Sequence, residues 1–183
     1  MKNTILATVD FYKNAFAQFI KAEKAHTDST DKTTFDTNAN KRIKNYQKVL
    51  DLLENIPNHI KLETETTQNG KYNIGTLVEC IVKAVADNFE HDTYTKATHG
   101  TDIKIGNKNY EIKTGIGCYS KPTACKPNQK GKYQATILVN ANGIWLINAD
   151  DVAKYLDKKG CLPYNQNCGK HYQRFEKALG YIS

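Results

Sequence analysis

Apolar positions along the chain change period several times, and the changes mark its elements. Ile5, Val9, Tyr12, Phe16, Phe19 and Ile20 recur at three- and four-residue steps, the spacing of one helix face. Residues 26–40 are almost wholly polar and rich in Thr, Asp and Asn, so they read as a connection. Ile43, Tyr46, Leu50 and Leu53 predict a second amphipathic helix that stops before Pro57. After the turn signal Asn69-Gly70, a third helix is expected over 73–89, with Ile74, Leu77, Val78, Ile81, Val82, Val85 and Phe89 inward. Glu79 falls about 60° outside that apolar arc at ~100° per residue.

Beyond the third helix the period shortens to two. Ile103 and Ile105 alternate with polar residues before Gly106-Asn107, and Tyr110 and Ile112 alternate after it, which is a hairpin pattern. A long segment, 114–132, carries Gly115, Gly117, Pro122, Pro127 and Gly131 and reads as a functional loop, a metal clip or local disorder. Two further strands, 133–140 and 144–148, are joined by Ala141-Asn142-Gly143. Asp150 and Asp151 suit the start of a short helix carrying Val152, Tyr155 and Leu156, with Gly160 beyond its end. A last helix is expected to hold Tyr172, Phe175 and Leu179. The order predicts an α+β or mixed α/β fold. Residues 1–70 form a helical lobe, for packing or for a dimer surface, and 71–183 form the core.

At 183 residues there is room for one domain of ordinary size. No apolar run approaches the length of a membrane span, and Asp10 and Lys13 interrupt the stretch that begins at Ile5, so a cytoplasmic protein is expected. The net charge of +7 is unevenly placed. Residues 1–70 carry 10 basic and 9 acidic side chains, and 71–183 carry 16 and 10. No acid lies between Glu111 and Asp150, where Lys113, Lys121, Lys126, Lys130 and Lys132 all fall, and a basic patch follows.

Strand parity decides what the hairpin presents. With a two-residue turn at Gly106-Asn107, Asp102 lies opposite Glu111, Ile103 opposite Tyr110 and Lys104 opposite Asn109. Asp102, Glu111 and Lys113 then share one face, and the apolar residues share the other. Two facing carboxylates repel, so something positive is expected between them. Such a pair with room for water suits Mg²⁺, with Mn²⁺ as substitute. A lysine beside the metal can help deprotonate an attacking water and offset charge on phosphorus.

Asp102, an eight-residue gap, then Glu111-Ile112-Lys113, preceded by a helix bearing Glu79, resembles the PD-(D/E)xK nuclease superfamily, which includes many restriction endonucleases. Thr101 stands where the family's name-giving proline would. The resemblance implies a restriction endonuclease-like core of elements in the order αβββαβ. It implies Asp102 and Glu111 as metal ligands, Lys113 as the catalytic lysine, and Glu79 as an outer or water-mediated ligand. The expected activity is Mg²⁺-dependent hydrolysis of DNA, with Lys104, Lys121, Lys126, Lys130 and Lys132 as phosphate contacts. Lysine contacts position the enzyme without reading sequence. Duplex cleavage would usually need two active sites, hence a homodimer. The alternatives are a non-catalytic basic nucleic-acid-binding module and an RNA-directed nuclease.

Cys118 and Cys125 repeat the spacing of Cys161 and Cys168, and four thiolates could hold a structural Zn²⁺ fastening the 114–132 loop to the C-terminal segment. Free thiols are the other reading, and disulfides are disfavoured in a reducing compartment.

Overall fold

The computed structural model describes residues 3–29, 35–88, 95–96, 102–105, 107–114, 133–140, 143–158, 161–162 and 167–172. The chain enters as a strand, β1 (Asn3–Thr8), and passes without a loop into α1 (Val9–Ser29). Ile5 therefore belongs to a strand, not to the first helix as its spacing suggested. Thr8 makes the junction: its Oγ1 accepts the amide hydrogen of Phe11 at 3.3 Å, occupying one of the donors a helix start leaves open. Val9, Tyr12, Phe16 and Ile20 form the buried stripe of α1.

The helix α2 (Phe35–Leu53) ends short of Pro57, as expected, but it begins within the segment that read as a connection. The polar first turns hid its start. Its most buried apolar positions are Ala39, Val49, Leu52 and Leu53, while Ile43, Tyr46 and Leu50 are half-buried. The two helices run antiparallel, tied by Lys13 to Glu54 at 3.1 Å and by a two-pronged Arg42–Glu23 pair at 2.6 and 2.8 Å.

The strand β2 (Lys61–Thr66) pairs antiparallel with β1, from Asn3 opposite Thr66 to Thr8 opposite Lys61. This small sheet was not expected. Its inward residues on β2 are Leu62, Thr64 and Thr66, only one of them apolar. Thr64 is tolerated in the interior because its hydroxyl donates to the Asn73 carbonyl at 3.0 Å. Asn73 in turn starts α3 (Ile74–Asn88), with its Oδ1 accepting the Thr76 amide at 3.3 Å.

The second sheet is mixed and has the order β3-β4-β5-β6-β7-β8 among the described residues. Its body is β4 (Ile103–Ile105), β5 (Lys108–Thr114), β6 (Ala135–Asn140) and β7 (Gly143–Asn148). Two short strands, β3 (Thr95–Lys96) and β8 (Lys170–Tyr172), lie at the edges. Tyr172 therefore lies on a strand where a helix was expected; Phe175 and Leu179 lie outside the described residues. All neighbours are antiparallel except β5 and β6. A parallel pair needs a connection of a dozen or more residues. The chain between Thr114 and Tyr133 supplies one, so its length has a topological cause.

One apolar cluster joins Val9, Tyr12, Phe16, Val49 and Leu53 to the inward face of α3 and to Ile103, Tyr110, Ile112 and Ile137, so residues on both sides of position 70 share a core. The other face of the sheet is covered by a second cluster, Leu138, Trp145, Ile147, Val152, Leu162 and Cys168. Val152 belongs to a 3-10 helix, Ala149–Tyr155, in the place where a short helix was expected. No helix among the described residues is long and apolar enough to cross a membrane.

Candidate active site

The two strands of the hairpin differ in length, and the site lies where the shorter one ends. The register is Ile103 opposite Tyr110, Lys104 opposite Asn109 and Ile105 opposite Lys108, as the strand parity required. Past Tyr110, β5 continues for four residues beyond the end of β4, and among the described residues no strand lies beside that stretch on the β4 side, which forms a notch. Asp102 fills it. Its own amide donates to the Tyr110 carbonyl at 3.0 Å, and its side-chain Oδ2 accepts the Ile112 amide at 2.7 Å. A carboxylate thus takes the amide hydrogen that a neighbouring strand would otherwise accept, and a half-buried N–H left unpaired would cost about 1–3 kcal/mol.

Alternation along β5 then sorts the side chains. Tyr110 and Ile112 point into the core under α3. Glu111 and Lys113 take the opposite face, where Glu111 sits beside Thr136 and Lys113 beside Leu138 in the parallel register with β6. Glu111 is 2% exposed, and the Lys113 ammonium is ion-paired with its Oε1. Oε2 is also buried and accepts no hydrogen bond among the described residues. The positive charge expected near the carboxylates is thus supplied within the chain by Lys113. Lys104 has the parity of Asp102 and Glu111 and is half-buried.

Glu79 reaches the same notch from α3. The start of that helix is set by Asn73, whose amide donates to the Glu65 carbonyl of β2 at 2.6 Å. A Cβ added at Gly75 would lie 3.7 Å from the Thr114 Cγ2, so the first turn of α3 rests on the end of β5. Glu79 follows one turn later, half-buried. Burial first, and then the Asp102 carboxylate, push its carboxyl up to about 7; Lys83 and Lys113 pull it down, and Glu111 adds a further push. Asp102, Glu111 and Lys113 all act on Glu79, so α3, the end of β4 and β5 bring the four side chains into electrostatic reach of one another.

Among the described residues, no three His, Cys, Asp or Glu side chains are gathered closely enough to hold a metal ion. The donor chemistry of Asp102, Glu111 and Glu79 is hard oxygen, which fits Mg²⁺ or Mn²⁺ and does not fit a soft metal. Lys121, Lys126, Lys130, Lys132, Cys118 and Cys125 lie outside the described residues. Of the other expected zinc ligands, Cys161 and Cys168 are buried and outside any disulfide among the described residues, and burial pushes the Cys168 thiol up to about 11. Two residues escaped the sequence reading as parts of the site. Thr136 is buried beside Glu111, and only the parallel register, invisible in local periodicity, reveals it. Lys83 follows Glu79 by four residues on α3 and acts on its carboxyl.

Comparison with protein-family models, with curated proteins and with solved structures finds no match in any of the three.

Proposed function

We propose that this protein is a metal-dependent endonuclease that hydrolyses phosphodiester bonds in DNA. The observation that carries the reading is the gathering of Asp102, Glu111 and Lys113 around one strand end, with Glu79 brought in by the neighbouring helix. The order α3, the antiparallel β3-β4-β5, and then β6 parallel to β5 supports a restriction endonuclease-like core.

In this reading Asp102 and Glu111 would hold Mg²⁺, with Glu79 as an outer or water-mediated ligand. Bound there, the ion lowers the proton affinity of an attacking water and neutralises phosphate charge. Asp102 is oriented by the Ile112 amide, which fixes one oxygen and leaves the carboxylate plane set by the backbone. Burial of Glu111 keeps the site in low dielectric, where each charge acts more strongly than in water. Lys113 is positioned by Glu111 to donate a hydrogen bond to the nucleophile or to a phosphoryl oxygen. Water adds to phosphorus, the P–O bond to the leaving sugar oxygen breaks, and the products are a phosphate monoester and a hydroxyl. Two copies acting together would cut both strands of a duplex.

The test is plasmid cleavage in Mg²⁺ or Mn²⁺, repeated with EDTA and with Asp102→Ala and Lys113→Ala. Cleavage that needs the ion and is lost in both variants supports the site. Cleavage that persists in either variant overturns it. Binding without cleavage in every case would mark a non-catalytic nucleic-acid-binding module, and protection by competing RNA would redirect the substrate. Metal analysis of purified protein decides whether Zn²⁺ is also held by the cysteines.

A further inference from the structure

Three carboxylates, Asp102, Glu111 and Glu79, lie within electrostatic reach of Lys113, whose ammonium is already engaged with Glu111. A polyanion can settle over such a site only if cations outside it take up the neighbouring phosphates. On the strand side that cation is Lys104, two residues from Asp102 on the same face of β4. On the helix side there is a second. Lys83 lies four residues after Glu79 on α3, hence on the same side of the helix. It is half-buried and close enough to act on the Glu79 carboxyl, yet it takes part in no ion pair among the described residues. With Lys61 of β2 it borders a groove of about 310 Å³ between β2 and α3, whose lining includes Leu62, Cys80 and Ala84 and one acid, Glu63.

We infer that Lys83 is a phosphate contact: the substrate backbone crosses the notch from Lys104 on the strand side to Lys83 on the helix side and continues toward Lys61 along the β2–α3 groove. The inference rests on the nuclease reading and adds to it the path of the bound strand. The alternative role for Lys83 is local, as a counter-charge for Glu79 with no contact to substrate. The two roles differ in one observable. A lysine that displaces counterions from a phosphate contributes ~0.9 to the slope of log K against log salt on duplex DNA, and a lysine that only balances Glu79 contributes nothing to it.

The experiment measures binding of a labelled mixed-sequence duplex in EDTA between about 50 and 200 mM salt, for the full-length protein and for Lys83→Gln, Lys83→Arg and Lys44→Gln. Lys44 is exposed on α2 and serves as the control. The expected result is a slope shallower by ~0.9 in Lys83→Gln, restored in Lys83→Arg and unchanged in Lys44→Gln, with unaltered melting in all three. A Lys83→Gln slope equal to the parent overturns the inference. If metal-dependent cleavage that requires Asp102 is retained at the same time, the nuclease reading stands alone. A Lys83-dependent slope in a protein that never cleaves DNA would support the contact and remove the nuclease reading.

Discussion

Asp102 and Ile112 are joined side chain to backbone, with the Oδ2 of one accepting the amide hydrogen of the other at 2.7 Å, inside the Glu111-Ile112-Lys113 run. The bond gives Asp102 two separable duties, as strand partner and as charge. Asp102→Asn keeps an acceptor for the amide and removes the charge. Its stability should stay within about 1 kcal/mol of the parent while cleavage is lost. Asp102→Ala loses both, and its unfolding free energy should fall by about 1–3 kcal/mol. Urea melts alongside the cleavage assay separate the two effects; equal destabilisation in both variants would contradict the capping role.

Glu111 and Lys113 form a pair that is dangerous to break from one side. Lys113→Ala leaves a carboxylate that is 2% exposed without its counter-charge, a change that costs about 3 kcal/mol in a buried pair. The Lys113 side chain is 22% exposed, so solvent screening trims that figure. Adding Glu111→Gln to Lys113→Ala should recover part of the loss. A double-mutant cycle measured by denaturant unfolding checks this, and additive losses would show that the pair is not coupled.

Glu79 gives the fold a pH dependence of definite sign. Its carboxyl is raised from 4.5 to about 7, chiefly by burial, so the folded state holds the proton longer than the unfolded chain does. The associated stability is complete below about 4.5 and is lost as pH rises through about 7. Thermal melts of the parent should therefore decline relative to Glu79→Gln across that window and run parallel above it. Added Mg²⁺, which favours the ionised carboxylate, should move the window to lower pH. Parallel curves at every pH would show that Glu79 is not held in this environment.

Glycine at two positions of positive φ should respond differently to alanine. Gly169 has φ +63°, and an added Cβ would come within 2.4 Å of the Leu146 carbonyl oxygen where β8 meets β7. Gly70 has φ +71° and nothing within 4 Å of that point. Gly70→Ala bears only the left-handed penalty, roughly 1–2 kcal/mol, whereas Gly169→Ala adds a clash with backbone and should lose roughly 2–4 kcal/mol. Denaturant midpoints of the two variants provide the comparison.

The hairpin was legible because Ile103, Tyr110 and Ile112 alternate with polar residues and the Gly-Asn turn fixes their parity, and α3 was legible from its apolar arc. The β1–β2 sheet was not. Ile5 sits four residues before Val9, a spacing that imitates a helix face, and two of the three inward residues of β2 are threonine. The signal that separates β1 from α1 was Thr8, a capping residue followed by Asp10 in the first turn. Candidate ligands were readable as residue types and parity. The Ile112 amide that orients Asp102 and the Thr136 neighbour of Glu111 depend on where β4 stops and on a parallel partner more than twenty residues away in sequence. Local pattern carries no record of either.

Pairing of β1 with β2 also sets a timetable for synthesis. Thr8 meets Lys61, so the first strand leaves the ribosome about fifty residues before its partner, with the whole α1–α2 excursion made in between. During that interval Asn-Thr-Ile-Leu-Ala-Thr is an uncharged strand with an open edge, and Leu6 remains well exposed even after folding. Nascent chains crowded on one messenger would present this segment to each other throughout that interval.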